Sequence, residues 1–289
     1  MAIPQSITDY PRSAIQDTIV SPYVWYRMRE GTGTALSDVG GRGPTINVGD
    51  TVTNLWTNPL FGCTYDAAGN YAFGQDTGTI FDSIFNLANS AEQGQIIIAW
   101  DYAFDGGITG SEQFFCYGAN TTAGYWGLSL NTSNQVELNL RGVGASNVTL
   151  STMTSFNLFT DAAGANSVSG ARISLLADVR IGSVSATCNL YSNGVSVTAA
   201  TGVDMFANSA TGYPGATKTQ PLSLFSRKTS TGSSGSANFD RKGGATASNG
   251  KIGLFFAMRR ATVSETLPLL LNTQFYQNQG EWPLALIGA

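Results

Sequence analysis

Residues 171–200, ARISLLADVRIGSVSATCNLYSNGVSVTAA, hold two alternating runs and one sharp reversal. In the first run Ile173, Leu175, Ala177 and Val179 fall on one face, while Arg172, Ser174 and Asp178 fall on the other. That period of two marks a half-buried strand. Asn189-Leu190-Tyr191-Ser192 then meets Val195-Ser196-Val197 across Asn193-Gly194. A type I′ turn needs positive φ at both central residues, and Asn-Gly supplies it, so the reversal reads as a hairpin. Long strand, gap, short strand, turn, short strand is the order of an antiparallel β protein.

The flanks extend the pattern. In QIIIAWDYAF, residues 95–104, Ile96, Ile98, Trp100, Tyr102 and Phe104 share one face, and Ile97, Ala99, Asp101 and Ala103 share the other. Both faces are apolar near its start, which predicts a central strand covered on both sides. Phe114 to Tyr117, Tyr125 to Leu130 and Gln135 to Arg141 read as a meander, with Asn131 to Asn134 as one of its turns. Gln220 to Phe225 is a further strand, and in Lys251 to Met258 the residues Ile252, Leu254, Phe256 and Met258 alternate. Behind it Thr262-Val-Ser-Glu265 has capping-box spacing, and Leu267, Leu270, Leu271 and Phe275 repeat at helical spacing. Pro268 belongs in the first turn of that helix, which favours Ser264 as its cap. The Ser/Gly-rich segment from Thr229 to Gly250 is long for a connection and reads as functional or mobile.

Composition agrees. The chain has 289 residues, 42% of them apolar, with 34 glycines and only 12% charged, which suits one large, turn-rich β domain. The net charge of −4 and the absence of a long basic run argue against nucleic acid. No stretch is long and apolar enough to span a bilayer, and no charged, apolar leader follows Met1, so folding inside the producing cell is expected. The odd count of three cysteines, Cys63, Cys116 and Cys188, each in an apolar or small-residue context, predicts buried thiols. Residues 1–22 read as a docking arm, 23–278 as the sandwich and 279–289 as an apolar tail. Ile3, Tyr10, Ile15 and Ile19 are the arm's candidate anchors.

Three stretches, in order, resemble the laminin-G-like branch of the concanavalin-A-like jelly rolls. They are YVWYRMREGTGTALSDVGGRG from Tyr23, the hairpin around Asn193-Gly194, and the closing strand and helix from Lys251 to Gln277. In the first, the glycines allow two tight turns and Asp38 is placed to cap the second through backbone amides. The resemblance implies an all-β, two-sheet antiparallel sandwich with one short C-terminal helix. It also implies calcium at one rim, for which Asp38, Asp66 and Asp82 are the candidate ligands, with Asp101 and Asp105 as a second set. Calcium needs six to eight oxygens, and no compact acidic loop supplies them, so turn capping is the competing role.

Catalysis is disfavoured. The chain has no histidine, which removes imidazole bases and imidazole metal sites. Glucanases of this broad fold set two or three carboxylates at alternating positions of one strand, and no such triplet occurs. The binding candidates are aromatic: Tyr102, Tyr117, Tyr125, Trp126, Tyr213 and Phe239 fall at strand ends or in loops, where flat rings stack on sugars or on an apolar partner. Trp25 and Trp100 read as core.

The expectation is therefore a non-enzymatic structural or attachment protein of a virion, such as a capsid decoration, fibre or collar component. Phage proteins of those kinds are similar to laminin-G-like folds. It would be made in the host cytoplasm, form homo-oligomers, contact other virion proteins and host glycans, and need no cofactor. The alternative is a free carbohydrate-binding lectin module using its concave sheet and aromatic loops.

Overall fold

The computed structural model of the chain describes residues 22–28, 30–39, 41–48, 63–65, 72–75, 80–85, 94–104, 112–117, 125–130, 136–141, 147–150, 172–181, 185–204, 221–224, 227–228, 239–240 and 250–277. In chain order its elements begin with β1 (Tyr23–Tyr26), β2 (Ala35–Leu36), β3 (Ile46–Val48), β4 (Cys63–Tyr65), β5 (Ala72–Gln75) and helix α1 (Ile80–Phe85). Then come β6 (Gly94–Phe104), β7 (Glu112–Tyr117), β8 (Tyr125–Leu130), β9 (Val136–Arg141), β10 (Asn147–Leu150), β11 (Arg172–Ile181), β12 (Ser185–Ser192) and β13 (Val195–Asp204). The last are β14 (Pro221–Leu224), β15 (Arg227–Lys228), β16 (Phe239–Asp240), β17 (Gly250–Arg260) and helix α2 (Leu267–Gln277).

Two antiparallel sheets form the sandwich. The first runs β1-β17-β6-β11-β12-β13, with β4 also pairing with β17. The second runs β10-β9-β8-β7-β14-β5-β3-β2, and β15 and β16 make a small separate pair. The meander is there as β7, β8 and β9, each hydrogen-bonded to the next. As expected, β6 is central: it lies between β17 and β11 and is buried from Gly94 to Asp101.

The reversal between β12 and β13 has φ of 50° at Asn193 and 83° at Gly194, the paired positive angles that a type I′ turn requires. It is tied back to β11. The Asn193 N–H donates to the Ser174 carbonyl at 2.9 Å, and the Ser174 N–H donates to Asn193 Oδ1 at 2.9 Å.

One sequence expectation needs correction. β11 is not half-buried, because Ser174 and Asp178 on its polar face have no exposed surface. α2 lies across that face of the first sheet. Leu267, Leu270, Leu271 and Phe275 join Tyr23, Trp25, Ile97, Ala99, Leu176, Tyr191, Leu254, Phe256 and Met258 in one apolar cluster. The Phe275 ring centroid sits 5.4 Å from that of Phe256 and 6.4 Å from that of Trp25. The opposite face of the sheet, with Ile96, Ile98, Trp100, Leu175, Ala177 and Val179, is buried as well.

α2 begins as its sequence suggested. Ser264 Oγ accepts the Leu267 N–H at 3.2 Å, and Pro268 occupies the first turn. Glu265 does not close a capping box; its Oε1 accepts from Arg180 Nη1 at 2.7 Å. The far half of the helix is held by Asn272. Its Oδ1 accepts the Gly194 N–H at 2.7 Å and its Nδ2 donates to the Ser174 carbonyl at 3.0 Å.

Two features depart from the expected pattern. The register slips between Ile252 and Leu254, a bulge that breaks the simple alternation read across β17. α1 was not foreseen, although Phe81, Ile84 and Phe85 have the i, i+3, i+4 spacing of a helix face, and all three are buried. Phe85 packs at a tilt against Tyr117 and Trp126, with centroids 5.2 and 5.7 Å away, so α1 joins the second sheet to the core.

Candidate functional site

Along the edge of β1 the chain builds a rim. After Tyr26 and Met28, the latter at φ 55°, residues 30–34 are all exposed. Gly31 and Gly33 have φ of 73° and 76° with nothing near the place of a Cβ, so glycine is needed there for its angle and not for space. Glu30 Oε1 accepts the Ser37 N–H at 2.8 Å and closes this first loop.

Asp38 anchors the second loop. It bridges to Tyr26, and its Oδ1 accepts the Trp25 N–H at 2.6 Å. Its Oδ2 accepts the N–H groups of Arg42 and Gly43 at 2.7 and 2.8 Å. The Val39 N–H donates to the Trp25 carbonyl at 2.8 Å, and the Tyr26 hydroxyl donates to the Pro44 carbonyl at 2.7 Å. The expected turn-cap role of Asp38 is therefore observed. The rim also covers the backbone edge of β1, which blunts a surface prone to unwanted strand pairing.

Above this base, the Arg42 guanidinium stacks over the Tyr23 ring, 4.7 Å from its centroid. Burial raises the Tyr23 phenol above its ordinary range, and Arg42 pulls in the other direction. Glu30, Val39 and Arg42 are exposed on a scaffold fixed by the hydrogen bonds of Asp38, buried at Trp25 and part-buried at Arg42 and Gly43. An anionic, an apolar and a cationic group are thus presented with little freedom left in the backbone beneath them, a suitable arrangement for recognition.

A second polar cluster lies beneath the start of α2. Gln95 Nε2 donates to Asp178 Oδ1 at 2.7 Å and to the Ser264 carbonyl at 3.0 Å, while Gln95 Oε1 accepts the Ser264 N–H at 3.0 Å. Arg180 bridges Asp178, at 2.9 Å, and Glu265. Burial raises the Asp178 carboxyl above its ordinary range, against the lowering effect of hydrogen bonds from Gln95, Arg180 and Asn189. The cluster fixes α2 to the sheet, and Asp178 within it has no access to solvent.

The aromatic set foreseen from sequence does not form one platform. Tyr117 and Trp126 are 1% and 0% exposed and pack against α1, so neither offers a ring face to a sugar, and their assignment as stacking residues is corrected. Tyr102 pairs in register with Ile173 and Ile252. Tyr125 pairs with Arg141 beyond the Trp126–Tyr117 step of the second sheet. Phe239 pairs with Lys228, which follows Leu224 and so lies towards the other end of that sheet. Tyr213 and Asp66, like Ile3, Tyr10, Ile15 and Ile19 of the arm and the tail 279–289, lie outside the described residues. Asp82 is in α1, and its side chain is outside them too.

Among the described residues no group of three or more His, Cys, Asp or Glu is placed to hold a metal, and no helix is long and apolar enough to cross a membrane. Cys188 is a fully buried thiol outside any disulfide, and burial pushes its pKa far above the usual thiol range. Sequence reading missed Glu30 and Arg42 as surface groups, having taken their Gly-rich segments as turns alone. A charged residue in a Gly-rich turn beside an aromatic strand was the available signal.

No protein-family model matches the sequence, and no curated protein does. Solved structures do match in fold. A crystal structure of a receptor binding domain aligns with TM-score 0.56 and 11% identity over 93% of this chain and 53% of its own. The binding domain of botulinum neurotoxin DC in complex with rat synaptotagmin II aligns with TM-score 0.52 and 11% identity over 88% and 51%. The same domain in complex with SialylT gives 0.53 and 11% over 91% and 52%. The chain thus spans about half the length of the structures it matches. At these identities the likeness establishes the fold: an all-β sandwich of the architecture found in receptor-binding domains.

Proposed function

We propose that the chain is a non-enzymatic binding module whose contact surface is the rim of residues 30–39 and 41–43, and whose partner is a cell-surface glycan or protein. The observation that carries this reading is that the described middle of the first sheet, in β1, β17, β6, β11 and the end of β12, is buried on both faces, one against the sandwich interior and the other under α2. A lectin mode that lays a sugar on that buried stretch has no surface to use, so recognition there falls to the edge. The rim is the described edge segment that combines exposure, mixed charge and a rigid mount. The similar structures support a binding role, since two of them are complexes with synaptotagmin II and with SialylT.

The test is binding of the full chain to an immobilised panel of sialylated and neutral glycans and to host-cell envelope. Arg42→Ala and Glu30→Ala are expected to lose at least tenfold in affinity while thermal unfolding stays within a few degrees. Binding unchanged in both variants overturns the rim assignment.

On the larger scale this module serves as a structural or attachment component of a virion, working as a homo-oligomer. Support comes from the Gly-rich, weakly charged composition and from residues 1–22, which read as an arm for gripping neighbours. Co-sedimentation separates this from the free-lectin alternative. The virion role predicts that the full chain pellets with purified particles and that a version lacking residues 1–22 does not. If both pellet only with host envelope and are released by free sugar, the lectin reading replaces it.

A further inference from the structure

Arg42 is the one cation among rim residues 30–39 and 41–43, and it is exposed. Its position is set twice over. Its backbone N–H is fixed on Asp38 Oδ2, and its guanidinium lies 4.7 Å from the Tyr23 ring centroid. That ring is itself stacked on Phe256, with centroids 6.4 Å apart. The rim's own carboxylates are engaged with backbone. Asp38 takes the N–H groups of Trp25, Arg42 and Gly43, and Glu30 Oε1 takes that of Ser37. Among the described residues the Arg42 guanidinium forms no ion pair. Stacking occupies the face of a guanidinium and leaves its edge, the fork of N–H groups that matches a carboxylate with two parallel bonds. A fork already held by its face loses less freedom when it binds.

We propose that Arg42 anchors a subsite for a sugar acid, its N–H fork pairing with the single carboxylate of the sugar while rim hydroxyls meet the sugar's own. This rests on the rim being the contact surface. Two properties of the rim select a sugar acid. The first is charge: one cation balances one carboxylate, whereas a phosphate chain or an acidic peptide would bring many charges to a chain of net charge −4. The second is lining: Thr32, Thr34 and Ser37 are exposed and offer hydroxyls to a polyhydroxylated ligand. Val39 is the one large apolar side chain exposed there, which is too little for the buried anchors of a protein partner.

The test is binding of the full chain to immobilised oligosaccharides ending in glucuronic acid or N-acetylneuraminic acid, each beside its methyl ester. Esterification removes the charge and keeps the hydroxyls. It is expected to weaken binding of the preferred acid by about tenfold or more. Arg42→Lys keeps the charge and loses the fork, so it should weaken the acid severalfold and leave the ester almost unchanged. The proposal is overturned if neither acid binds, if acid and ester bind alike, or if Arg42→Lys matches the native chain. In the last two cases a loss in Glu30→Ala would leave the rim standing as the contact surface, and no loss would remove both. Competition by a polyglutamate peptide or a sulfated sugar as effective as that of the free acid sugar would equally overturn the assignment.

Discussion

Gly43 is the residue on which the rim turns. A Cβ there would stand 2.5 Å from the Tyr26 hydroxyl, 3.1 Å from Val24 Cγ1 and 3.3 Å from Asp38 Cβ. Tyr26 cannot swing away without giving up its bond to the Pro44 carbonyl. Gly43→Ala is therefore expected to destabilise the fold by about 1–3 kcal/mol, read as a fall in the chemical-denaturation midpoint. Asp38→Ala goes further, because it strips one acceptor from three backbone N–H groups, that of Trp25 being buried, and should cost about 3 kcal/mol or more. Cys188 should remain unmodified by thiol reagents in native protein and react only on unfolding, as peptide mapping would show.

Asp178 supplies a pH dependence of definite sign. Its folded-state pKa lies above the ordinary 3.8, so on acidification the folded chain takes up this proton before the unfolded chain does. The group's contribution to stability is complete below 3.8 and is lost as pH rises through the folded value. Asp178→Asn should flatten this part of the stability–pH curve, measured by urea midpoints between about pH 3 and pH 7. An unaltered curve would show that Asp178 titrates normally.

At the scale of elements, the legible features were those written in adjacent residues. Asn193-Gly194 specified its turn because few other pairs tolerate two positive φ angles in succession. Ser264, three residues before Leu267 and with Pro268 behind it, marked the start of α2. Ser264→Ala should cost about 1 kcal/mol, detectable as a lowered denaturation midpoint. What depended on a distant partner was not legible. Ser174 and Asp178 alternate as a solvent-facing row should, and only the docking of α2 buries them. Tyr117 and Trp126 stand at strand ends, as binding aromatics do, and only α1 encloses them. Glu30 and Arg42 acquire significance when the Asp38 bridge folds their segment along β1.

Across the whole molecule, α2 converts a two-layer sandwich into one with a third layer over the first sheet. Phe275 is the centre of that layer, in ring contact with strands from both ends of the chain. Phe275→Ala should cost about 3–5 kcal/mol and uncover apolar surface, which a fluorescent hydrophobic dye would register. A negligible loss would mean that the helix is peripheral to stability. The sandwich class could be inferred from local alternation and turn chemistry, whereas the third layer required the tertiary structure to be seen.

The pairing of β1 with β17, Tyr23 against Met258, has a consequence for how the protein is made. β1 leaves the ribosome well before β17, so while everything between them is made β1 must wait without its ladder partner. Closure of the first sheet is thereby deferred until β17 has been made. Such sequence-distant contacts also place the chain among the slower folders. Nascent chains arrested before β17 emerges should carry β1 exposed to protease, a vulnerability that ends once β17 and α2 are released.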